Sequence, residues 1–250
     1  MKKNKAQVVV KPRTPDGALI YAVGDIHGQL HLLNALLEKI TADAARSDAE
    51  SRVLVFLGDY VDRGPDSAGV IERLVSGLPE GFEVRCLMGN HEAILLKFLE
   101  EPETLGHWLM NGAEATLASY GVDAPGSDAS ASAISACRNR FASALLPAHL
   151  AFLSGLQLFA SFGDYLFVHA GIRPGVPMQD QSRKDLMWIR EDFLESEADF
   201  GALVVHGHTP GREPVVRPNR IGIDTGAFVN RRLTALRLFG EARDFLSAEE

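Results

Sequence analysis

The sequence predicts an α/β fold built around one continuous core. Short apolar strand patterns alternate with helix-period segments over the first 100 residues, and short strands joined by tight turns return in the second half. The chain has 250 residues, of which 46% are apolar, enough to bury a large core without disulfides. It contains no fixed-period repeat and no evident domain linker.

Residues 1–16, with Lys2, Lys3, Lys5, Lys11 and Arg13, read as a loose basic tail, and residues 17–245 as the folded domain. Ala18–Val23 reads as a strand. The helix that follows, near Gln29–Ala42, puts Leu30, Leu33, Leu37 and Ile40 on one face. Arg52–Leu57 is a second, buried strand, followed by a helix near Ser67–Leu78. Phe82–Met88 is a third strand, with a helix from His91 to about Glu100. Residues 103–156 read as a helical insertion around a Ser-, Ala-, Gly- and Asp-rich loop at Asp123–Ser135. Strands then return at Leu156–Ser161, Tyr165–Val168, Ala202–Val205, Val215–Arg217, Arg220–Ile223 and Leu233–Leu238. Their short connections suggest antiparallel pairing.

Several classes of function are excluded or disfavoured. A net charge of −8 argues against a nucleic-acid coat. Apolar runs such as Val53–Gly58 and Tyr165–Ile172 are far shorter than the ~18 residues a membrane span needs. The N-terminus has no signal-peptide pattern, and Cys86 and Cys137 read as free thiols, so a cytoplasmic location is expected. Residues 212–243 carry a local net charge of +4, readable either as a solvated rim or as a draw for an anionic substrate. Nothing in the sequence specifies an oligomeric state.

The chemistry lies in five short clusters, each following a strand pattern. They are Gly24-Asp25-Ile26-His27-Gly28, Gly58-Asp59-Tyr60-Val61-Asp62-Arg63-Gly64, Gly89-Asn90-His91-Glu92, Val168-His169-Ala170-Gly171 and His206-Gly207-His208-Thr209-Pro210. Any one of them alone reads as a turn. Strand carboxyl ends are, however, where open α/β sheets place ligands. Asp, His and Asn side chains gathered there from distant parts of a chain suit a two-metal hydrolase. Five clusters ending five strands must converge, which predicts two mixed sheets packed face to face, with helices outside and the site along one edge.

The first three clusters, in this order, resemble the signature of the phosphoprotein phosphatase family within the calcineurin-like metallophosphoesterases. The resemblance runs from about Ala18 to Phe239 and is greatest to the compact bacterial and phage members. It implies the four-layer calcineurin-like fold and two divalent ions, Mn²⁺ foremost, with Fe or Zn²⁺ as alternatives. Asp25 and His27 would hold the first ion, Asp59 would bridge both, and Asn90, His169 and His208 would complete the second. His206 and His208 could exchange roles. His91 would be the general acid, oriented by Asp62. Arg63 and Arg190 would take phosphoryl oxygens, with Asn90 and Asn111 as further substrate contacts.

Some positions are less determined by the resemblance. Met88 stands where the family often has a basic residue. The segment His107–Gly112 either shapes the substrate cleft or ends a helix with Trp108 in the core. His31 and His149 read as structural or solvent-facing, Asp164 as a turn residue, Asp224 as support, and Trp188 as core packing that positions Arg190.

The activity implied is hydrolysis of phosphoserine or phosphothreonine in a phosphorylated protein, supported by the intact Val61-Asp62-Arg63-Gly64. The alternative is symmetrical cleavage of a phosphorylated small molecule, a dinucleoside polyphosphate such as diadenosine tetraphosphate, whose hydrolases often lack the aspartate at the Asp62 position. An inactive binding scaffold is a third reading, against which stands the full ligand set.

Overall fold

The computed structural model describes residues 11–250. Its first half runs β1 (Ala18–Val23), α1 (Leu30–Ala44), β2 (Ser51–Phe56), α2 (Ser67–Ser76), β3 (Glu83–Cys86) and α3 (Asn90–Glu100). Four helices follow: α4 (Leu105–Leu109), α5 (Ala113–Ser119), α6 (Ala131–Ala144) and α7 (Pro147–Ser154). The second half runs β4 (Phe159–Phe162), β5 (Tyr165–Val168), α8 (Arg183–Trp188), α9 (Glu191–Leu194), β6 (Leu203–His206), β7 (Val215–Val216) and β8 (Arg220–Gly222). It ends with α10 (Ala227–Asn230), β9 (Arg232–Phe239) and β10 (Ala242–Glu249).

The strands form two five-stranded mixed sheets, in the orders β10-β9-β1-β2-β3 and β4-β5-β6-β8-β7. Side chains alternate across each strand, and this alternation builds the layers. From β1, Leu19, Tyr21 and Val23 face α1 and its neighbours. Ile20 and Ala22 face the other way, into a layer shared with Val53, Val55, Tyr165, Phe167, Val205 and Ile221. The outer face of the second sheet packs Leu166, Val168 and Val204 on Leu186 of α8, Phe193 of α9 and Ile189 between them. The result is a sandwich of two mixed sheets flanked by helices. A one-residue slip in any of these strands would exchange its two apolar faces, so burial fixes the register.

Four local expectations are corrected. The second sheet is not mainly antiparallel: β4 pairs antiparallel with β5 and β7 with β8, but β5–β6 and β6–β8 are parallel. This matters for the site. Parallel strands bring their carboxyl ends to one edge, and antiparallel ones would send His169 and His208 to opposite edges. The Asp123–Ser135 loop is shorter than its composition suggested. Ser130 caps α6 by accepting from the Ala133 N–H at 3.3 Å, so the helix starts at Ala131. The strand β10, whose outward polar residues hid its pattern, extends the first sheet past residue 245. Of the basic tail, residues 1–10 lie outside the described residues. Pro12, Arg13 and Thr14 are tied down. Tyr165 donates to the Pro12 carbonyl (3.1 Å), the Arg13 N–H donates to Asp164 (3.0 Å), and Thr14 is buried.

Among the described residues no helix is long and apolar enough to cross a membrane. Cys86 and Cys137 are free thiols.

Candidate metal centre

The parallel strands β1, β2 and β3 of one sheet, and β5, β6 and β8 of the other, deliver their following loops to one edge of the sandwich. These loops are unusually bent. Among the described residues, six non-glycine residues have positive φ, and five of them belong to the clusters: His27 (46°), Asp59 (51°), Asp62 (70°), Arg63 (70°) and His208 (66°). Each such conformation costs about 1–3 kcal/mol, and such strain concentrates at functional sites.

The surrounding hydrogen bonds hold the strain. The Ile26 and His27 N–H groups both donate to the Asp59 carbonyl, at 3.0 and 2.9 Å, lacing the first loop onto the second. The buried Glu92 carboxylate accepts from the N–H groups of Asp59 (2.9 Å), Tyr60 (2.7 Å), Val61 (3.3 Å) and Gly89 (3.0 Å). One side chain on α3 thereby ties together the loops after β2 and β3. Gly58 (φ 106°) lies where these loops meet the one after β5. A Cβ there would come within 2.6 Å of the Gly89 nitrogen and 2.9 Å of His169 Nδ1.

Asp59 occupies the middle of the site. Its Oδ2 is 3.6 Å from His27 Nε2 and 3.8 Å from His91 Nε2, and its Oδ1 is 3.4 Å from His169 Nε2. Two buried groups share it, His27–Asp59–His91 and Asp59–His169–His208, each with ligand atoms within 4.8 Å of one another. Asn90 Oδ1 joins the second at 3.0 Å from His169 Nε2. Asp25 reaches the same centre from β1: its Oδ2 accepts from the His208 N–H at 2.9 Å. The structure thus brings together Asp25, His27, Asp59, Asn90, His91, His169 and His208, all buried.

The donor set fits divalent cations. The Nδ1 atoms of His27 and His169 bond the carbonyls of Val61 and Leu57, both at 2.9 Å, which makes Nε2 the lone-pair nitrogen of each ring. Burial lowers the proton affinity of His27 to a pKa of about 3 and that of His208 to about 2, and it also lowers His169, so these imidazoles are neutral ligands. Burial, with Asp224 and Asp59 nearby, pushes the Asp25 carboxyl well above its usual range. A cluster this short of positive charge favours a bound cation. Asp25 Oδ1 and His208 Nε2 are moreover buried without a hydrogen-bond partner.

His91 is built differently. Its Nδ1 lies 2.7 Å from Asp62 Oδ2, and its buried Nε2 points into the centre with no partner. Burial works against its charge, but the Asp59 and Asp62 carboxylates outweigh that and raise its pKa.

The arginines lie outside this buried layer. Arg63 is exposed, with Nη1 3.1 Å from His27 Nε2 and its guanidinium 4.6 Å from the Phe228 ring centroid. Arg190, also exposed, is close enough to lower the proton affinities of His169 and His208. Trp188 stands edge-on to His208, ring centroids 6.3 Å apart. The Asn111 amide donates to the His107 carbonyl at 2.8 Å, capping its own helical turn. His206 is buried beside the centre, its Nδ1 3.1 Å from the Gly207 carbonyl and its ring edge-on to Phe193. It belongs to neither of the two groups. Among the described residues, three of the seven arginines in 212–243 form ion pairs: Arg231 with Glu250, Arg232 with Glu213 and Glu249, and Arg237 with Asp43.

Sequence reasoning missed three supports. Glu92 was visible as the last residue of its cluster, but its hold on four N–H groups was not. Trp108 and Thr116, from α4 and α5, both bond the Asp62 carboxylate; the sequence marked Trp108 as a cleft or core residue but not its bond to Asp62, and nothing local marks Thr116. His149 is structural, bridging Tyr120 (2.8 Å) and Glu72 (2.9 Å). His31 is exposed and pairs with Glu250 at 2.9 Å.

The family model for calcineurin-like phosphoesterases matches residues 18–235. A bis(5′-nucleosyl)-tetraphosphatase PrpE of Bacillus subtilis (strain 168), described as asymmetrical, is 30% identical over 233 residues, covering 86% of this chain and 88% of its own. A protein of the same description from Bacillus anthracis (strain A0248) is 30% identical over 235 residues, with the same coverage of 86% and 88%. Among solved structures, one described provisionally as a diadenosine tetraphosphatase superposes with a TM-score of 0.61 at 22% identity, over 96% of this chain and 99% of its own. A Saccharomyces cerevisiae serine/threonine phosphatase similar to human PP5 superposes at 0.59 and 15% identity, covering 96% and 84%. At these identities the superpositions show a shared fold.

Proposed function

The chain belongs to the calcineurin-like phosphoesterase family, and from that membership we propose that it is a two-metal hydrolase of bis(5′-nucleosyl) tetraphosphates, cleaving them asymmetrically. The observation that carries the reaction class is the pair of buried clusters joined by Asp59. The substrate rests on relatives of that description, similar over 86% of the chain.

In this reading Asp25, His27 and Asp59 hold one divalent ion, and Asp59, Asn90, His169 and His208 the other, with Mn²⁺ the first choice for such mixed ligands. When bound, the two ions neutralise phosphoryl oxygens and acidify the attacking water. Arg63 and Arg190 donate to non-bridging oxygens from the exposed side, as planar guanidinium groups suit phosphate. His91 gives the proton on Nε2 to the departing oxygen, while Asp62 holds Nδ1 and the ring's direction.

A second reading, a phosphoserine or phosphothreonine phosphatase, is favoured by that same His91–Asp62 pair at 2.7 Å. A serine alkoxide leaves poorly without a proton, whereas a nucleotide leaves an anhydride readily. Rates of the Mn²⁺-loaded enzyme on diadenosine tetraphosphate and on a phosphoserine peptide, with products separated by chromatography, distinguish the two. We expect ATP and AMP from the dinucleotide at the higher kcat/KM. Two ADP would mean symmetrical scission, and orthophosphate released faster from the peptide would overturn the substrate assignment.

A further inference from the structure

The helical segment 105–119 stands apart from the motif loops in sequence yet grips one of them. The Trp108 indole N–H points at the Asp62 carboxylate, 3.1 Å from Oδ1 and 2.9 Å from Oδ2. The Thr116 hydroxyl donates to Asp62 Oδ1 at 2.7 Å and accepts from the Asp62 N–H at 2.8 Å. Ser67 Oγ, 2.9 Å from Thr116 Oγ1, accepts from the same N–H at 3.0 Å. The next residue is held as well, for the Arg63 N–H donates to the Gly112 carbonyl at 3.1 Å. Asp62, Trp108, Thr116 and Ser67 are all fully buried. Asp62 and Arg63 are the two consecutive residues at φ 70°.

We propose that Trp108 and Thr116 are positioning residues for the proton-delivering pair: they fix the Asp62 carboxylate so that its Oδ2 holds His91 Nδ1 in line with the leaving oxygen. The physical case rests on rotation. A carboxylate bonded only to His91 could turn about its Cβ–Cγ bond and carry the imidazole with it. Here Oδ1 is anchored by Thr116 and the indole bridges both oxygens, so that rotation is blocked. The Thr116 hydroxyl also spans Asp62 from backbone to side chain, which locks the left-handed turn that aims the carboxylate. Ordinary core packing explains the Trp108 ring, 5.0 Å from Phe98 and 5.5 Å from Phe141 between centroids. It does not explain an indole N–H directed at a buried carboxylate. The segment 105–119 therefore acts as a clamp on the catalytic turn and reaches the chemistry only through Asp62.

This proposal rests on the reading of His91 as the general acid, and the experiment separates the two. The Mn²⁺-loaded enzyme is assayed on p-nitrophenyl phosphate, whose leaving group needs little help, and on phenyl phosphate, whose leaving group needs a proton. Trp108→Phe keeps an aromatic ring in the core, at a smaller volume, and removes the donor. Thr116→Val keeps the shape and removes the hydroxyl, and Thr116→Ser restores the hydroxyl. His91→Asn is the reference. Outer-shell contacts of this kind typically affect activity by 10–100-fold, so kcat on phenyl phosphate is expected to fall roughly tenfold in Trp108→Phe and Thr116→Val. The loss on p-nitrophenyl phosphate is expected to be much smaller, KM to stay unchanged, and Thr116→Ser to recover most of the activity. Equal losses on both substrates, following a lowered melting temperature, would assign the contacts to folding and overturn the proposal. A leaving-group bias in His91→Asn with none in Trp108→Phe or Thr116→Val would also overturn it while leaving the general acid in place. No bias in His91→Asn itself would overturn the general-acid reading and this proposal together.

Discussion

The two sheets contribute to the centre in different ways. The first sheet delivers whole loops: after β1, β2 and β3 come bent turns in which Asp25, His27, Asp59, Asp62, Arg63, Asn90 and His91 cluster within a few residues of their strands. Those loops are bonded to each other, through the Asp59 carbonyl and the Glu92 carboxylate, before any contact with the second sheet. The second sheet delivers single side chains. His169 is aimed by the carbonyl of Leu57, just after β2, and by Asn90 Oδ1, and the His208 backbone is held by Asp25, all from the first sheet's side, while the Gly207 N–H donates to the His169 carbonyl at 2.8 Å. The first sheet thus provides a preorganised frame, and the second docks imidazoles against it. Strain follows the same division, with four of the five positive-φ site residues on the first sheet's loops.

The largest test of this division is at Asp59, the residue both halves touch. Asp59→Asn removes the shared charge while keeping the shape. Activity is expected to fall by at least ~10⁴-fold, with circular dichroism unchanged and Mn²⁺ stoichiometry by calorimetry below two. Full activity in Asp59→Asn would break the two-cluster description. Glu92→Gln tests whether the first-sheet frame is self-supporting. Replacing one acceptor oxygen by an NH₂ group opposite buried N–H donors should cost about 3 kcal/mol, or roughly 6–12 °C in melting temperature. A loss much smaller than that would mean the loops hold without it.

The smallest effect concerns the second sheet. Burial lowers the His206 pKa to about 4, so the ring is neutral in the fold but protonates near 6.5 when unfolded. Below that value the unfolded chain binds the extra proton, so this contribution is present at neutral pH and is lost as pH falls toward the folded pKa. The stability difference between the wild type and His206→Gln should therefore shrink by about 2 kcal/mol between pH 7 and about pH 5. A difference independent of pH would mean that His206 is solvated rather than sealed behind Phe193.

What the sequence determined by itself is the part where ligand and strand are neighbours along the chain. Gly24–Gly28, Gly58–Gly64 and Gly89–Glu92 each follow an apolar run, so the strand, its turn and the side chains it presents were legible together. Alternation and helical spacing located most elements, because burial on a face imposes a period on the residues that form it. Only the tertiary structure decided the rest. The parallel pairing of β5, β6 and β8 depends on which strands meet, and short connections did not reveal it. The outward polar residues of β10 concealed a strand that the first sheet pairs along its whole length. The clamp of Trp108 and Thr116 on Asp62 joins residues 46 and 54 positions apart. A hydrogen bond between distant segments leaves no period in either of them, so it can be read only once folding has brought the two together.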